Sequence, residues 1–552
     1  MKKRVVSLFL SALILLFAVA GYAQETMTPG TYTVVCPGYY GDFDVTVTVS
    51  DEAITAITVG EYKDTEAIGG EALRMMTTRM LDSNTAMVDT VSGATVTSIL
   101  FRNAVMQALK EAGAPAALTT ALEAPEKSDE TLDTDVLVIG AGAAGFTAAI
   151  AAKNAGADVI LIEKQDLLGG STMVSAGIVY AALDKEDESK MIDYYMERSE
   201  GTADLEMLQV FAENSMENIS FLDDIGVQWM MAIPAGTAPE PRAHFSMHED
   251  GRRMIGSALI DPLESKALEM GITILRGVKA TQLMQENDVI VGALAESKEK
   301  NYTLNAKAVV MATGGFDASA ELVETYAPVA KGDIVLSNKG NVGEGLLMAL
   351  EVGAKTEFKG GMIGFQAVNQ GLPDSGYNAV AMNSPLFVQA DGTFITVGAD
   401  YPINYTRLKE SGASAFYGIY DAAGEENGER ALAVNFGFKA DTVEELAAAA
   451  GMEEAKLVEA VAKNEALTTA PYYAVVVRPA TIGSMGGIVT NTAAEVLSET
   501  TGEPIAGFYA AGEVANSAFY GTEYPASGSS ISISMAFGRI AGIQAAEYIK
   551  GK

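Results

Sequence analysis

Phe43, Val45, Val47 and Val49 alternate with Asp44, Thr46 and Thr48, the period-two pattern of a strand with one buried face. Residues 30–35 and 54–59 predict two more strands and 67–81 a helix, so 27–112 reads as a small α+β module that ends in a helix reaching about Ala112. Residues 113–131 contain Ala-Pro-Ala and Ala-Pro-Glu-Lys-Ser-Asp-Glu, the composition of a linker. The pattern then changes. Residues 136–139 are continuously apolar, as in a strand buried on both faces, and lead through a glycine-rich turn into an Ala-rich helix. Residues 158–162 form a second apolar strand that ends at Glu163.

The turn reads Gly140-Ala141-Gly142-Ala143-Ala144-Gly145. Strand, Gly-x-Gly-x-x-Gly, helix, second strand and acid together predict a dinucleotide site. Gly140 allows the tight turn, Gly142 leaves room for a pyrophosphate, and Gly145 lets helix and strand approach. The free N–H groups of the helix start attract phosphate. Glu163 stands where an acid binds a ribose hydroxyl.

Composition narrows the chemistry. The chain has 552 residues, enough for about three domains. Its net charge of −35 speaks against nucleic acid or an anionic membrane surface as a partner. One cysteine, Cys36, leaves no intramolecular disulfide, thiolate zinc site or iron–sulfur cluster. With His244 and His248 the only histidines, no metal site is expected. Lys2-Lys3-Arg4, an apolar run at 5–20 and Gly21-Tyr22-Ala23 have the form of an export signal over residues 1–23. The expected location is extracellular, at the cell surface or periplasmic.

Within the first module, Asp89-Thr90-Val91-Ser92-Gly93-Ala94-Thr95-Val96-Thr97 keeps every fixed position of Asp-x-x-Ser-Gly-Ala-Thr-x-Thr. It resembles the FMN-binding domains of electron-transfer complexes and bacterial flavin reductases. The resemblance implies FMN joined by a phosphoester to a threonine, Thr97 first and Thr95 second, by a dedicated flavin transferase.

From residue 132 the chain resembles the fumarate reductase flavoprotein superfamily, which includes urocanate reductase and, more distantly, 3-ketosteroid dehydrogenases. The blocks are Gly169-Gly170-Ser171-Thr172, Ser175-Ala176-Gly177, Arg242-Ala243-His244, Ala312-Thr313-Gly314-Gly315, Ala510-Ala511-Gly512-Glu513 and Gly528-Ser529-Ser530-Ile531. The resemblance implies non-covalent FAD. It adds Ala144, Lys164, Ser171, Thr172, Ala176, Gly177, Val278, Thr313, Gly314, Glu513, Ser529, Ser530 and Ile531 to the cofactor site of Gly140, Gly142, Gly145 and Glu163. The expected fold is α/β: a Rossmann-like FAD-binding domain (132–358 and 483–552), interrupted by an α+β clamp over the substrate (359–482) and preceded by the FMN module.

The resemblance also implies hydride transfer to a C=C bond, with a proton delivered to the neighbouring carbon. The family's dicarboxylate clamp is missing, however. Its carboxylate-binding positions fall on Met362-Ile363-Gly364, Asn378, Ala381 and Ile482-Gly483-Ser484. A dicarboxylate needs about two paired cations in a dry site, so the expected acceptor is less charged: an aromatic enoate or an enone. Arg407 is the expected proton donor, Tyr401 occupies that place in a competing register, and Tyr524 is expected to recognise a carbonyl. The function expected is an exported reductase of anaerobic respiration, fed by a membrane or extracellular donor through FMN. A ketosteroid-type dehydrogenase and a flavin electron carrier stand as alternatives.

Overall fold

In the computed structural model the chain divides into two compact units between Pro125 and Glu126. The residues described are 26–38, 41–120, 126–253, 255–368, 384–397, 400–413 and 415–551. The export signal, Asn378 and Ala381 lie outside them.

In the smaller unit, β1 (Gly30–Cys36), β2 (Phe43–Val49) and β3 (Ile54–Val59) form an antiparallel sheet in that order. Phe43, Val45, Val47 and Val49 are all buried, as their alternation requires. Two helices cover that face: α1 (Glu71–Ser83) with Met76 and Met80, and α2 (Thr95–Glu111) with Phe101 and Val105. A wide turn at Glu66–Gly70 delays α1 by four residues relative to the helix expected from 67.

The larger unit opens with β4 (Ser128–Ile139), α3 (Ala143–Asn154) and β5 (Val159–Glu163). Next come α4 (Asp187–Arg198), α5 (Leu205–Asp224), β6 (Thr273–Arg276), β7 (Lys279–Glu286), β8 (Val289–Glu296) and β9 (Lys300–Met311). The inserted segment carries β10 (Met362–Ala367), β11 (Leu386–Gln389), β12 (Phe394–Val397), α6 (Tyr401–Glu410), β13 (Phe416–Tyr420), β14 (Gly437–Ala440), α7 (Val443–Ala450) and β15 (Tyr472–Ser484). The chain then returns with β16 (Pro504–Ala510) and α8 (Ser529–Lys550).

The main sheet runs β7-β8-β16-β9-β4-β5-β6. Its centre is parallel, with β16, β9, β4, β5 and β6 aligned. The residues at 136–139 are buried on both faces, as their unbroken apolar run predicts. Helices α3 and α8 pack backbone to backbone on one face. A methyl group at Gly538 would stand 2.4 Å from Ala144 O, and one at Gly542 2.1 Å from Ala148 O.

Strand β4 begins at Ser128, inside the stretch expected to be linker. Its acidic residues pair along β9: Glu130 with Lys300 at 2.5 Å, Asp129 with Asn301 at 3.0 Å and Asp133 with Asn305 at 2.9 Å. The inserted segment is a second sheet, β12-β11-β13-β15, with β10 and β14 also paired to β15. One face packs Phe387, Phe416, Tyr420 and Tyr473; the other packs Leu386, Ile419, Leu446 and Leu457.

Candidate flavin and acceptor site

The glycine turn does what its spacing requires. Gly140 has φ +103°, and a methyl group at Gly145 would fall 1.8 Å from Gly140 O. At Gly142 the nearest atom to such a methyl would be Gly169 O at 3.8 Å, so that side stays open. Ala144 packs its side chain toward Gly512, which leaves only its backbone N–H for a phosphate.

Glu163 is buried at the end of β5. Its Oε2 accepts the Ala141 N–H and its Oε1 the Gln165 N–H, both at 2.9 Å. Burial pushes its carboxyl upward, against the pull of those N–H groups and Lys164. Each oxygen keeps a further lone pair for a ribose hydroxyl. A cavity here is lined by Gly140, Glu163, Lys164, Val278, Thr313 and Glu344. Lys164 donates to Gly340 O at 2.6 Å and pairs with Glu344. The Thr313 hydroxyl is buried without a protein partner. Five of the expected cofactor residues therefore meet around one cavity, and its unused acceptors and hydroxyl suit the ribose of FAD.

The next blocks lie along the turn. Ser171 Oγ accepts Asn341 Nδ2 at 2.9 Å, and Asn341 Nδ2 also donates to Asp317 at 3.1 Å. Thr172 O accepts Ser175 Oγ at 2.7 Å; Ala176 follows, and Gly177, with φ +63°, would drive a methyl into Ser246 Oγ at 2.4 Å. Gly314, with φ +75°, faces Asn341.

Glu513 is half-buried, its Oε1 accepting both the N–H (2.5 Å) and the hydroxyl (3.1 Å) of Ser484. Burial first, then the nearby Asp317, pushes its carboxyl up to about 8. Asp317 is also raised by burial while Ser337 and Asn341 bond to it.

Tyrosines from other segments gather around the start of α8. Gly528 turns the chain with φ +89°. Ser529 Oγ accepts the Tyr195 hydroxyl at 2.6 Å, and the Ser530 N–H donates to Tyr524 Oη at 2.8 Å. Ile531 packs against the cluster containing Ala143, joining the two helix starts. The Tyr524 ring centroid lies 5.6 Å from that of Tyr520 and 6.5 Å from that of Tyr401. Tyr401 Oη accepts Ser527 Oγ at 3.3 Å, and its ring leans on Phe365 at 4.9 Å. Burial raises the hydroxyls of Tyr195, Tyr401, Tyr520 and Tyr524, so all four are neutral donors near pH 7.

Arg407 does not join them. Its side chain is 58% exposed and pairs with Glu410 at 3.0 Å on the outer face of α6, so the expectation that it donates the proton is corrected. Its guanidinium sits about 120° around the helix from Tyr401 and is spent on Glu410 in solvent, reaching the cluster only as a charge felt by Glu523. Tyr405 is buried but turned away, its hydroxyl on Asp333 at 2.7 Å. His244 Nδ1 lies 2.9 Å from Arg242 O. His248 lies between Asp250 at 2.9 Å and Asp261 at 3.1 Å.

Sequence reading missed Tyr194, Tyr195 and Arg198. The signal was present: Met191, Tyr194, Tyr195 and Arg198 fall at i, i+3, i+4 and i+7, one face of a helix.

In the smaller unit, Thr97 lies in the first turn of α2, after Gly93 with φ +100°. Thr97 is half-buried while Thr95 is exposed. Tyr62 stands beside it, and a methyl group at Gly69 would meet both Tyr62 Oη (1.8 Å) and Thr97 Oγ1 (3.5 Å).

Residues 135–531 match the FAD binding domain family, and residues 38–110 match the FMN-binding domain family. The chain belongs to the fumarate reductase-like FAD flavoproteins. Among its relatives is "Probable fumarate reductase Ifc3" of Shewanella frigidimarina, 32% identical over 76% of each chain. The urocanate reductase of Eggerthella lenta is 28% identical over 96% of this chain and 94% of its own. A flavocytochrome c3 fumarate reductase in an open conformation superimposes with a TM-score of 0.62 at 29% identity, over 77% of this chain and 79% of that one. As a fumarate reductase-like flavoprotein, the protein is an oxidoreductase acting on CH–CH groups, and it carries an FMN-binding domain ahead of the FAD-binding one.

Proposed function

We propose that this flavoprotein is exported and reduces the C=C bond of an α,β-unsaturated organic acceptor, an aromatic enoate or an enone rather than fumarate. Relatives named for reducing fumarate and urocanate support the reaction type. The observation that carries the acceptor class is the convergence of Tyr195, Tyr401, Tyr520 and Tyr524 on the start of α8, where a dicarboxylate enzyme needs cations.

FAD, held by the glycine turn, Glu163, the Thr313 cavity and the α8 start, supplies a hydride when reduced. The chain's own residues do the rest. Tyr524 accepts the Ser530 N–H, which leaves its O–H to polarise the acceptor's carbonyl. Tyr401 accepts the Ser527 hydroxyl, which leaves its O–H to give a proton to the carbon beside the new C–H bond. The aromatic walls exclude water and stack on a ring.

In this reading FMN, esterified to Thr97 by a flavin transferase, passes electrons from a membrane or extracellular donor. Partial burial and the neighbouring Tyr62 favour Thr97 over Thr95. The reaction is tested by steady-state oxidation of a reduced dye with a panel of enoates and enones, where turnover of none of them overturns it. The tether is tested by mass spectrometry after co-expression with the transferase: an FMN-sized addition is expected on the Thr97 peptide and is lost in Thr97→Ala.

One observation favours the reverse direction as a second reading. Tyr524-Pro525-Ala526-Ser527-Gly528 resembles the carbonyl-binding turn of ketosteroid dehydrogenases, and dye reduction driven by a saturated ketone would support it.

A further inference from the structure

The buried face of α4 ends in a charge. Met191, Tyr194 and Tyr195 are buried, and Arg198 takes the last position of the same stripe with its side chain only 11% exposed. Tyr194 donates to Pro525 O at 2.6 Å, so this face looks onto the segment holding Glu523 and Tyr524.

The guanidinium is poorly satisfied there. Nη2 lies 3.2 Å from Glu523 Oε2 but off the hydrogen-bond direction, and both Nε and Nη2 are buried without a hydrogen bond. Glu523 is held from the other side by Thr406 Oγ1 at 3.2 Å. Asp400 caps α6 immediately before Tyr401, and its Oδ2 is likewise buried without a partner. Arg198 acts on that carboxyl, pulling it down against the rise that burial imposes. Arg198 thus stands beside the residue that precedes Tyr524 and within electrostatic reach of the one that precedes Tyr401.

Buried charged donors without acceptors are costly, more so than neutral ones. A ligand that supplies acceptor atoms removes that cost, and the planar fork of a guanidinium matches a carboxylate. Glu523 and Asp400 would repel a third carboxylate if both stayed ionised. Burial raises both, however, so the cluster can take up a proton when an anion arrives.

We propose that Arg198 determines specificity by receiving one carboxylate oxygen of an unsaturated acid, whose other oxygen is the carbonyl that Tyr524 polarises, while Tyr401 faces its C=C end. The inference rests on the reductase reading above and selects enoates over neutral enones.

The test uses the full, flavin-loaded chain and matched acceptors such as cinnamate and 4-phenylbut-3-en-2-one, which share ring and C=C bond but not the carboxylate. In Arg198→Met the ratio of KM for the acid to KM for the ketone should rise at least about tenfold, the loss of one charge-assisted hydrogen bond. Arg198→Lys should recover part of it, with flavin content unchanged in both. An equal change for both acceptors, or none, overturns the inference and assigns Arg198 to structure. Reduction of ketones but of no acid overturns it and leaves the reductase reading standing. Reduction of neither overturns that reading, and the inference with it.

Discussion

The hydroxyl of Tyr524 accepts the backbone N–H of Ser530 at 2.8 Å, in the first turn of α8. A phenol fixed in this way points its own proton elsewhere and cannot rotate to satisfy itself. Tyr524→Phe removes that donor and takes the acceptor from the half-buried Ser530 N–H. With an accepted enone or enoate, kcat should fall about a hundredfold, the range for losing one preorganised donor, while bound FAD per chain stays constant. A fall below about threefold would remove Tyr524 from the chemistry.

Arg407 offers the opposite expectation. Its guanidinium and its partner Glu410 are more than half exposed, and such pairs contribute about 0–1 kcal/mol. Arg407→Ala should leave urea unfolding within about 0.5 kcal/mol and the steady-state rate within about twofold. A larger rate loss would restore the proton-donor role that its position denies.

The glycine turn separates ligand room from backbone room. Gly145→Ala places a methyl 1.8 Å from Gly140 O, so it should yield unstable, flavin-free protein. Gly142→Ala meets nothing closer than 3.8 Å and should cost about 1 kcal/mol or less in stability. It should nonetheless weaken FAD binding about tenfold or more, because the added methyl takes space meant for the pyrophosphate. Flavin titration of the two refolded variants distinguishes the cases, and equal behaviour would contradict the geometry.

Glu513 makes stability depend on pH. Its folded carboxyl is pushed up to about 8 from an ordinary value of 4.5, so the folded chain holds this proton more tightly than the unfolded one. The contribution is fully present below about pH 4.5 and is lost as pH rises through 8. Flavin-free protein should therefore unfold at lower urea at pH 9 than at pH 6, and Glu513→Gln should flatten that slope. Identical slopes would show that Glu513 is ionised throughout.

The parallel core was legible because continuous apolar runs and glycine spacing are local signals. The inserted sheet was partly so: 386–389 and 416–420 have the composition of strands and 443–449 that of a helix, and each is that element. The early start of β4 was not. Its acids read as linker until Lys300, Asn301 and Asn305 lie opposite them, some 170 residues away. The Arg407 error had a local remedy. Asp400-Tyr401-Pro402 is a helix start, with Asp400 capping the Ile403 N–H. At 3.6 residues per turn, position 407 then lies well off the face that Tyr401 presents. Tyr195 meeting Ser529 could not be read at all, since no local pattern joins residues 334 apart.

Arg242 is almost fully enclosed and grips Asp187, the first residue of α4, through Nε and Nη2 at 2.7 Å each. The helix is thus riveted at its root, while Tyr194, Tyr195 and Arg198 crowd its tip. Such a lever can change what it displays without loosening where it is anchored. Exchanges at positions 194, 195 and 198 could give relatives new acceptor preferences on an unchanged frame.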